Sequence, residues 1–284
     1  MPLFALPFPM IDPIAIQFGP LAIRWYALAY IAGILIGWWY LRKLVETPRL
    51  WGAVDRPTVA ELDDFVLWAT LGIVLGGRIG YVLFYNFGHY AAHPLEVAML
   101  WKGGMAFHGG LLGSIVVMLI FARKRAFSFL TLFDLFAAAA PIGLFFGRIA
   151  NFINAELWGR TSDVAWAMVF PFAGPEPRHP SQLYEAALEG VVLLAVIAHL
   201  VHRSEMLKKP GAIAGVFAMG YGLARFVVEF FREPDAQVGY LLGGITMGQI
   251  LSLPMVFAGL ALFLWALKAA ERRSATSSAG GGAR

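Results

Sequence analysis

Residues 129–149 read FLTLFDLFAAAAPIGLFFGRI, a run in which only Asp134 and Arg148 carry charge. A helix needs about 20 mostly apolar residues to cross the roughly 30 Å hydrocarbon core of a bilayer, because in lipid each backbone N–H and C=O must be satisfied within the segment. Six further stretches of this kind flank it, at 20–41, 63–87, 105–122, 183–202, 211–231 and 246–267. The composition agrees: of 284 residues 59% are hydrophobic and 14% charged, where a soluble domain carries about 25% charged residues. That balance excludes a disordered chain, a nucleic-acid-binding domain and a disulfide-stapled secreted module. Cysteine is absent, so there is no disulfide, thiolate metal site or cysteine nucleophile. The expected fold is an all-α polytopic membrane protein with seven transmembrane helices.

The basic residues orient the bundle, since cytoplasmic loops are enriched in Lys and Arg. Arg42, Lys43, Arg49 and Arg56 follow the first span; Arg123, Lys124 and Arg125 follow the third. Arg203, Lys208 and Lys209 follow the fifth, and Lys268, Arg272, Arg273 and Arg284 the seventh. The opposite loops hold Lys102, Arg160, Arg178 and Arg232. The N-terminus is therefore expected outside and the C-terminus in the cytoplasm. Met1 to Pro13 has four prolines and no Lys or Arg; it lacks the charged start of a cleavable signal peptide and reads as an outer-surface entry segment. Ser274 to Arg284 is Ser, Ala and Gly apart from Thr276 and Arg284, has no apolar periodicity and is expected to be disordered. Residues 1–273 read as a single membrane domain.

Four arginines remain within or at the ends of spans: Arg24, Arg78, Arg148 and Arg225. An arginine near the bilayer centre costs about 2.5–3.5 kcal/mol even on the lenient insertion scale, so such residues face a polar cavity or a partner. Arg24 and Arg78 fit a polar site or a helix end that snorkels to the headgroups. Arg148 and Arg225 have polar company. Tyr221, Arg225, Glu229 and Arg232, spaced four, four and three apart, share one helical face. There Glu229 could hold both arginines extended, leaving donors for an anion, or the ladder could be purely internal. The fourth span leads into Arg148, Asn151, Asn154 and Glu156, a cluster of donors and acceptors at the outer half of the membrane. Guanidinium suits phosphate because it offers a planar fork of charged donors.

A third cluster, Gly103 to Gly113, reads GGMAFHGGLLG and surrounds His108 with five glycines. Glycine carries no side-chain bulk, so a lipid or peptide could approach this backbone closely; the histidine could equally serve packing. The histidines show no metal-ligand spacing, and neither a metal nor a cofactor is expected. Taken alone, membrane arginines also suit a lipid or anion transporter. Ser114, the candidate nucleophile for an intramembrane protease, lacks a G-x-S-x-G context.

These stretches resemble one family, the bacterial prolipoprotein diacylglyceryl transferases. The run GRIANFINAELWG at Gly147 to Gly159 is similar to that family's signature. The resemblance extends to GGMAFHGGLLG, to RHPSQLYE at Arg178 to Glu185, to RFVVEFFREPDAQ at Arg225 to Gln237, to RWY at Arg24 to Tyr26 and to GGRIGYVLFYNF at Gly76 to Phe87. The chain departs from the family in a shorter outer segment between Trp158 and Arg178. The resemblance implies transfer of the diacylglyceryl group of phosphatidylglycerol to the thiol of a cysteine in a prolipoprotein signal peptide, with release of glycerol phosphate, at the bacterial cytoplasmic (inner) membrane. The implied partners are phosphatidylglycerol, prolipoprotein signal peptides and membrane lipids, and no nucleic acid. It further implies that Arg148 binds the lipid phosphate with Asn151, Glu156 and Gly159 beside it, and that His108, Arg225, Glu229, Tyr26 and Tyr221 matter for the reaction; Asn154 joins the binding set through its place in the polar run. Two arginines can stabilise a departing phosphate. His108 could take the thiol proton as a general base, since an unperturbed imidazole pKa of about 6.5 lies near working pH, although a thiol beside guanidinium groups could ionise without it.

Overall fold

The computed structural model describes residues 6–19, 21–125, 128–234, 241 and 244–280. The start of the entry segment, Asp235 to Gln237 of the RFVVEFFREPDAQ stretch and the last four residues of the tail lie outside the described residues.

The chain is mostly helical, and a helix stands at each of the seven expected places. They are α1 (Trp25–Val45), α2 (Val59–Phe84), α4 (Phe107–Arg125), α5 (Phe129–Ile153), a rod over Ser181–His202, α8 (Ala212–Val228) and α9 (Met247–Gly280). The short α3 (Phe87–Ala92) lies between α2 and α4. The rod begins as α6 (Ser181–Glu185), continues as a π-helical turn over Ala186–Val192, and ends as α7 (Leu193–His202). Among the described residues, five helices are long and apolar enough to cross a membrane: Trp25–Val45, Val59–Phe84, Phe129–Ile153, Ser181–His202 and Met247–Arg273; Ala212–Val228 is a shorter apolar helix. The second helix starts at Val59, four residues before the apolar run, because Thr58 and Glu61 form a reciprocal capping box.

Two departures from the sequence reading concern segments outside the spans. The fold is not wholly α: β1 (Leu6–Pro7) pairs in parallel with β4 (Met168–Val169), and β2 (Ile14–Phe18) pairs with β3 (Leu21–Arg24) as an antiparallel hairpin. These residues lie outside any helix, so their N–H and C=O groups find partners across strands. Arg24 is the last residue of that hairpin. In the tail, α9 continues as helix to Gly280; Ala is the best helix former and Ser is tolerated, so nothing in the composition stops the helix before the glycines.

Residues 42–133 form one compact unit, and residues 1–41 with 134–284 form the other. In the first, α2 and α4 meet along glycines. A Cβ on Gly76 would lie 2.4 Å from the Gly109 oxygen, and one on Gly113 would lie 2.0 Å from that of Gly72. In lipid, with no hydrophobic force between helices, such small-residue contact is what lets van der Waals packing hold a helix pair. Gly109 and Gly113, read above as room for a ligand, are thus occupied by the neighbouring helix. Arg78 is buried, yet neither snorkels nor faces a cavity. Its Nε donates to Val97 O (2.8 Å), its Nη2 to Glu96 O (2.7 Å) and Met99 O (3.2 Å), and its Nη1 to the carbonyls of Gly103 and Gly104, while the guanidinium lies 5.0 Å from the Tyr90 ring centre. One cation thereby satisfies the carbonyls of the loop that leads to α4. Ser114, also buried, donates back to Leu111 O at 2.8 Å, which is an ordinary use of a hydroxyl within a helix.

In the second unit α8 and α9 pack closely. A Cβ on Gly215 would lie 2.7 Å from the Phe263 nitrogen, and one on Gly259 would lie 2.4 Å from that of Met219. Asp134 fixes the start of α8, accepting the N–H groups of Gly211 and Ala214, both at 2.8 Å. A carboxylate there satisfies otherwise unpaired donors at the positive end of the helix dipole. The segment that follows α5 is anchored by an apolar cluster in which Phe8, Ala155 and Phe170 are buried against Phe152, Trp158 and Met168.

Candidate functional site

The site belongs to the unit formed by residues 1–41 and 134–284, and it begins at the C-terminal end of α5. Arg148 projects from the penultimate turn of that helix toward two carboxylates on the rod, Glu185 and Glu189, both fully buried. Its Nη1 is 3.3 Å from Glu185 Oε2, and its Nη2 is 3.2 Å from Glu189 Oε2. The rod presents this pair where it passes from α-helix into the π turn. A π turn inserts an extra residue into the helix and is frequent at functional sites. Gly190 within it permits close contact, since a Cβ there would lie 2.7 Å from Phe145 Cβ on α5.

Glu185 is shared. Its Oε1 also receives Arg225 Nη1 from the last turn of α8, and Arg232 Nη1 at 3.2 Å. Arg225 Nη2 pairs with Glu229 Oε1, as the four-residue spacing predicts. Arg232 does not continue that face: α8 ends at Val228, the chain turns, and the guanidinium meets Glu185. Arg160 ties the turn down, donating Nε to Arg232 O and Nη2 to Glu229 O, both at 2.9 Å. Three guanidinium groups and three carboxylates thus occupy one largely buried volume. Each ion pays several kcal/mol to leave water, so only mutual pairing makes this tolerable. A planar fork held on two sides cannot rotate away, and this fixes the orientation of the Arg148 and Arg225 guanidinium groups.

A second set lies one turn further along α5. Asn151 Nδ2 donates to Glu156 Oε1 at 2.7 Å and to the Tyr26 hydroxyl at 3.2 Å, so the first turn of α1 is joined to the end of α5. The turn after α5 places Ala155 at φ 52° and Leu157 at φ 58°, a backbone region that L-residues with side chains seldom adopt. The N-terminus of the rod holds it there: Ser181 Oγ donates to Leu157 O at 3.0 Å, and Gln182 Nε2 donates to Glu156 O. Gly159 follows, enclosed by backbone. A Cβ on it would lie 2.4 Å from the Phe231 oxygen and 2.7 Å from that of His179. Only glycine fits between the two strands of chain that carry Arg232 and Arg178.

Of the residues singled out from sequence, Arg148, Arg225 and Glu229 join one ion network, and Tyr26, Asn151 and Glu156 one hydrogen-bonded set. Asn154 closes the last turn of α5 through its N–H to Ala150 O at 3.0 Å. Tyr221 lies one turn before Arg225 on α8, its ring stacked on Phe217. His108 sits exposed in the first turn of α4, in the unit formed by residues 42–133. The sequence reading passed over Glu185 and Glu189. The signal was available: two carboxylates four residues apart inside an apolar span call for the same explanation as membrane arginines. Outside the spans, burial holds the His179 pKa below its ordinary value. Its Nδ1 lies 3.0 Å from the Tyr184 hydroxyl.

Residues 13–265 match the family model for prolipoprotein diacylglyceryl transferase. The chain is 58% identical over 277 residues to the phosphatidylglycerol–prolipoprotein diacylglyceryl transferase of Brucella anthropi, with 97% of each chain covered. It is 57% identical over 280 residues to the proteins of the same name from Brucella canis and Brucella ovis, with 98% of each chain covered.

Proposed function

The chain belongs to the prolipoprotein diacylglyceryl transferase family, and from that premise we propose that it moves the diacylglyceryl group of phosphatidylglycerol onto the cysteine thiol of a prolipoprotein signal peptide. The thiolate attacks the terminal diacylglyceryl carbon and a thioether forms. The carbon–oxygen bond to phosphate breaks, and glycerol phosphate leaves with the electron pair. The observation that carries this reading is the convergence of Arg148 and Arg225 on Glu185, which keeps two guanidinium groups side by side where charge must build on the departing phosphate. Purified protein should convert phosphatidylglycerol and a cysteine-containing signal peptide into the thioether product and glycerol phosphate. Lipid movement between leaflets without that product would favour a transporter.

In this mechanism Arg148 and Arg225 stabilise the leaving group, and Tyr26 acts beside them. Asn151, Asn154, Glu156, Tyr221 and Glu229 shape the phosphatidylglycerol site, while Gly159 serves it by letting the outer backbone close up. His108 accepts the thiol proton. His108→Ala should then lose about 10²–10⁴-fold in rate at neutral pH, and part of the activity should return as pH rises through about 8.5, where a free thiol ionises unaided. His108→Asn should be nearly as impaired, because an amide hydrogen-bonds but cannot take the proton. Retention of most activity by His108→Asn, with an unchanged pH profile, would remove the histidine from the chemical step.

The enzyme works as a multi-pass protein of the bacterial cytoplasmic membrane. The seven helices form one membrane domain over residues 1–273, with the N-terminus outside and the C-terminus in the cytoplasm. Because cysteine is absent, single introduced cysteines report orientation cleanly. Thr161 and Ser204 are both exposed. Thr161→Cys should react with a membrane-impermeant thiol reagent in cells whose outer barrier is permeable, and Ser204→Cys only after the cells are opened. The reverse pattern would invert the bundle.

A further inference from the structure

The first residue of α9's cap reaches into the ion network. Thr246 and Gln249 form a reciprocal capping box: Gln249 N–H donates to Thr246 Oγ1 (3.3 Å), and Thr246 N–H donates to Gln249 Oε1 (3.1 Å). A threonine hydroxyl has a single proton. With its acceptor side taken by the Gln249 N–H, that proton goes to Glu229 Oε2, 2.7 Å away. Thr246 and Glu229 are both buried. The next residue but one makes the approach possible, since a Cβ on Gly248 would lie 2.3 Å from Glu229 Oε1. Glu229 is consequently gripped on both oxygens, by Thr246 on one and Arg225 on the other. Arg225 in turn is stretched between Glu229 and Glu185.

We propose that Thr246 is a positioning residue for the transfer reaction: its hydroxyl fixes Glu229, and Glu229 fixes the guanidinium plane of Arg225. This rests on the function proposed above. The start of α9 thereby becomes part of the catalytic support rather than only the cap of a lipid-facing helix. Without the hydroxyl, Glu229 Oε2 is buried with one donor fewer, the carboxylate can rotate, and Arg225 loses one of its two fixed sides. Because Arg225 acts on charge that develops as the phosphate leaves, the effect falls on kcat more than on KM.

The test compares variants of the full-length protein in detergent, with phosphatidylglycerol and a cysteine-containing signal peptide. Thr246→Val is expected to lower kcat about tenfold or more, with KM for phosphatidylglycerol changed less than threefold. Thr246→Ser, which restores the donor, is expected within about threefold of wild type. Gln249→Met separates capping from positioning, because it removes the side-chain acceptor of the Thr246 N–H but leaves the Thr246 to Glu229 bond, and its kcat is expected within about threefold of wild type. If Thr246→Val does not fold, Thr246→Ala takes its place. A valine variant with normal kcat, a serine variant as impaired as valine, or a Gln249→Met variant as impaired as valine would each overturn the proposal. A second readout is independent of turnover: the melting temperatures of Thr246→Val, Glu229→Gln and the double variant should be non-additive, and simple additivity would count against the contact itself. A wild-type protein that makes no thioether product would instead overturn the proposed function, and the melting series would still decide whether Thr246 holds Glu229.

Discussion

Arg148→Ala is expected to abolish diacylglyceryl transfer, and Arg148→Lys is expected not to restore it. The guanidinium presents Nη1 to Glu185 at 3.3 Å and Nη2 to Glu189 at 3.2 Å. A planar fork can span two carboxylates and still face an anion with its remaining donors, whereas an ammonium is a compact point charge on a flexible stem. Removing a preorganised donor from a developing oxyanion typically costs about 10²–10³-fold in kcat. Here the loss is expected at or beyond the top of that range, because alanine also leaves Glu185 and Glu189 with one cation fewer. Initial rates of thioether formation, measured on protein shown to be folded by its melting curve, provide the check. An Arg148→Lys enzyme within tenfold of wild type would show that charge suffices and the fork does not matter.

The largest effect on stability is expected at Glu185. This one carboxylate is the common partner of Arg148, Arg225 and Arg232. Breaking a buried ion pair by removing one partner typically costs about 3–5 kcal/mol, since the surviving charge is left buried and uncompensated. Glu185→Ala takes the shared carboxylate from three guanidinium groups at once and should fall at the upper end of that range, with little folded protein recovered from membranes. Glu185→Gln keeps the shape and a hydrogen-bond acceptor but not the charge. It should fold with a lowered melting temperature and lose most activity, because the two arginines proposed to hold the phosphate would repel each other without their shared counter-ion. A Glu185→Ala protein that melts with the wild type would refute the role of this carboxylate as the hub of the network.

Several parts of this arrangement were legible before the fold was known. Arg148 and Asn151 share a face because they are three residues apart on a helix, and each does head one of the two polar sets. Arg225 and Glu229 pair as their spacing requires. Arg78 and the glycines around His108 were visible as anomalies, but their use was not. Arg78 is consumed by loop carbonyls, and Gly109 and Gly113 are filled by the backbone of α2. A glycine signals close approach without saying what approaches.

The sequence by itself determined the membrane class, the places of the helices and the candidate charges, because these depend on local composition and on the 3.6-residue period of one helix. The tertiary structure decided the partners. Glu185 meets Arg148, Arg225 and Arg232, Asp134 caps α8, and Thr246 reaches Glu229, all contacts between segments far apart in the chain. Which helices lie side by side depends on packing between small residues and on the mutual neutralisation of buried charges. Both are properties of pairs of surfaces, and the pattern along any single segment does not contain them.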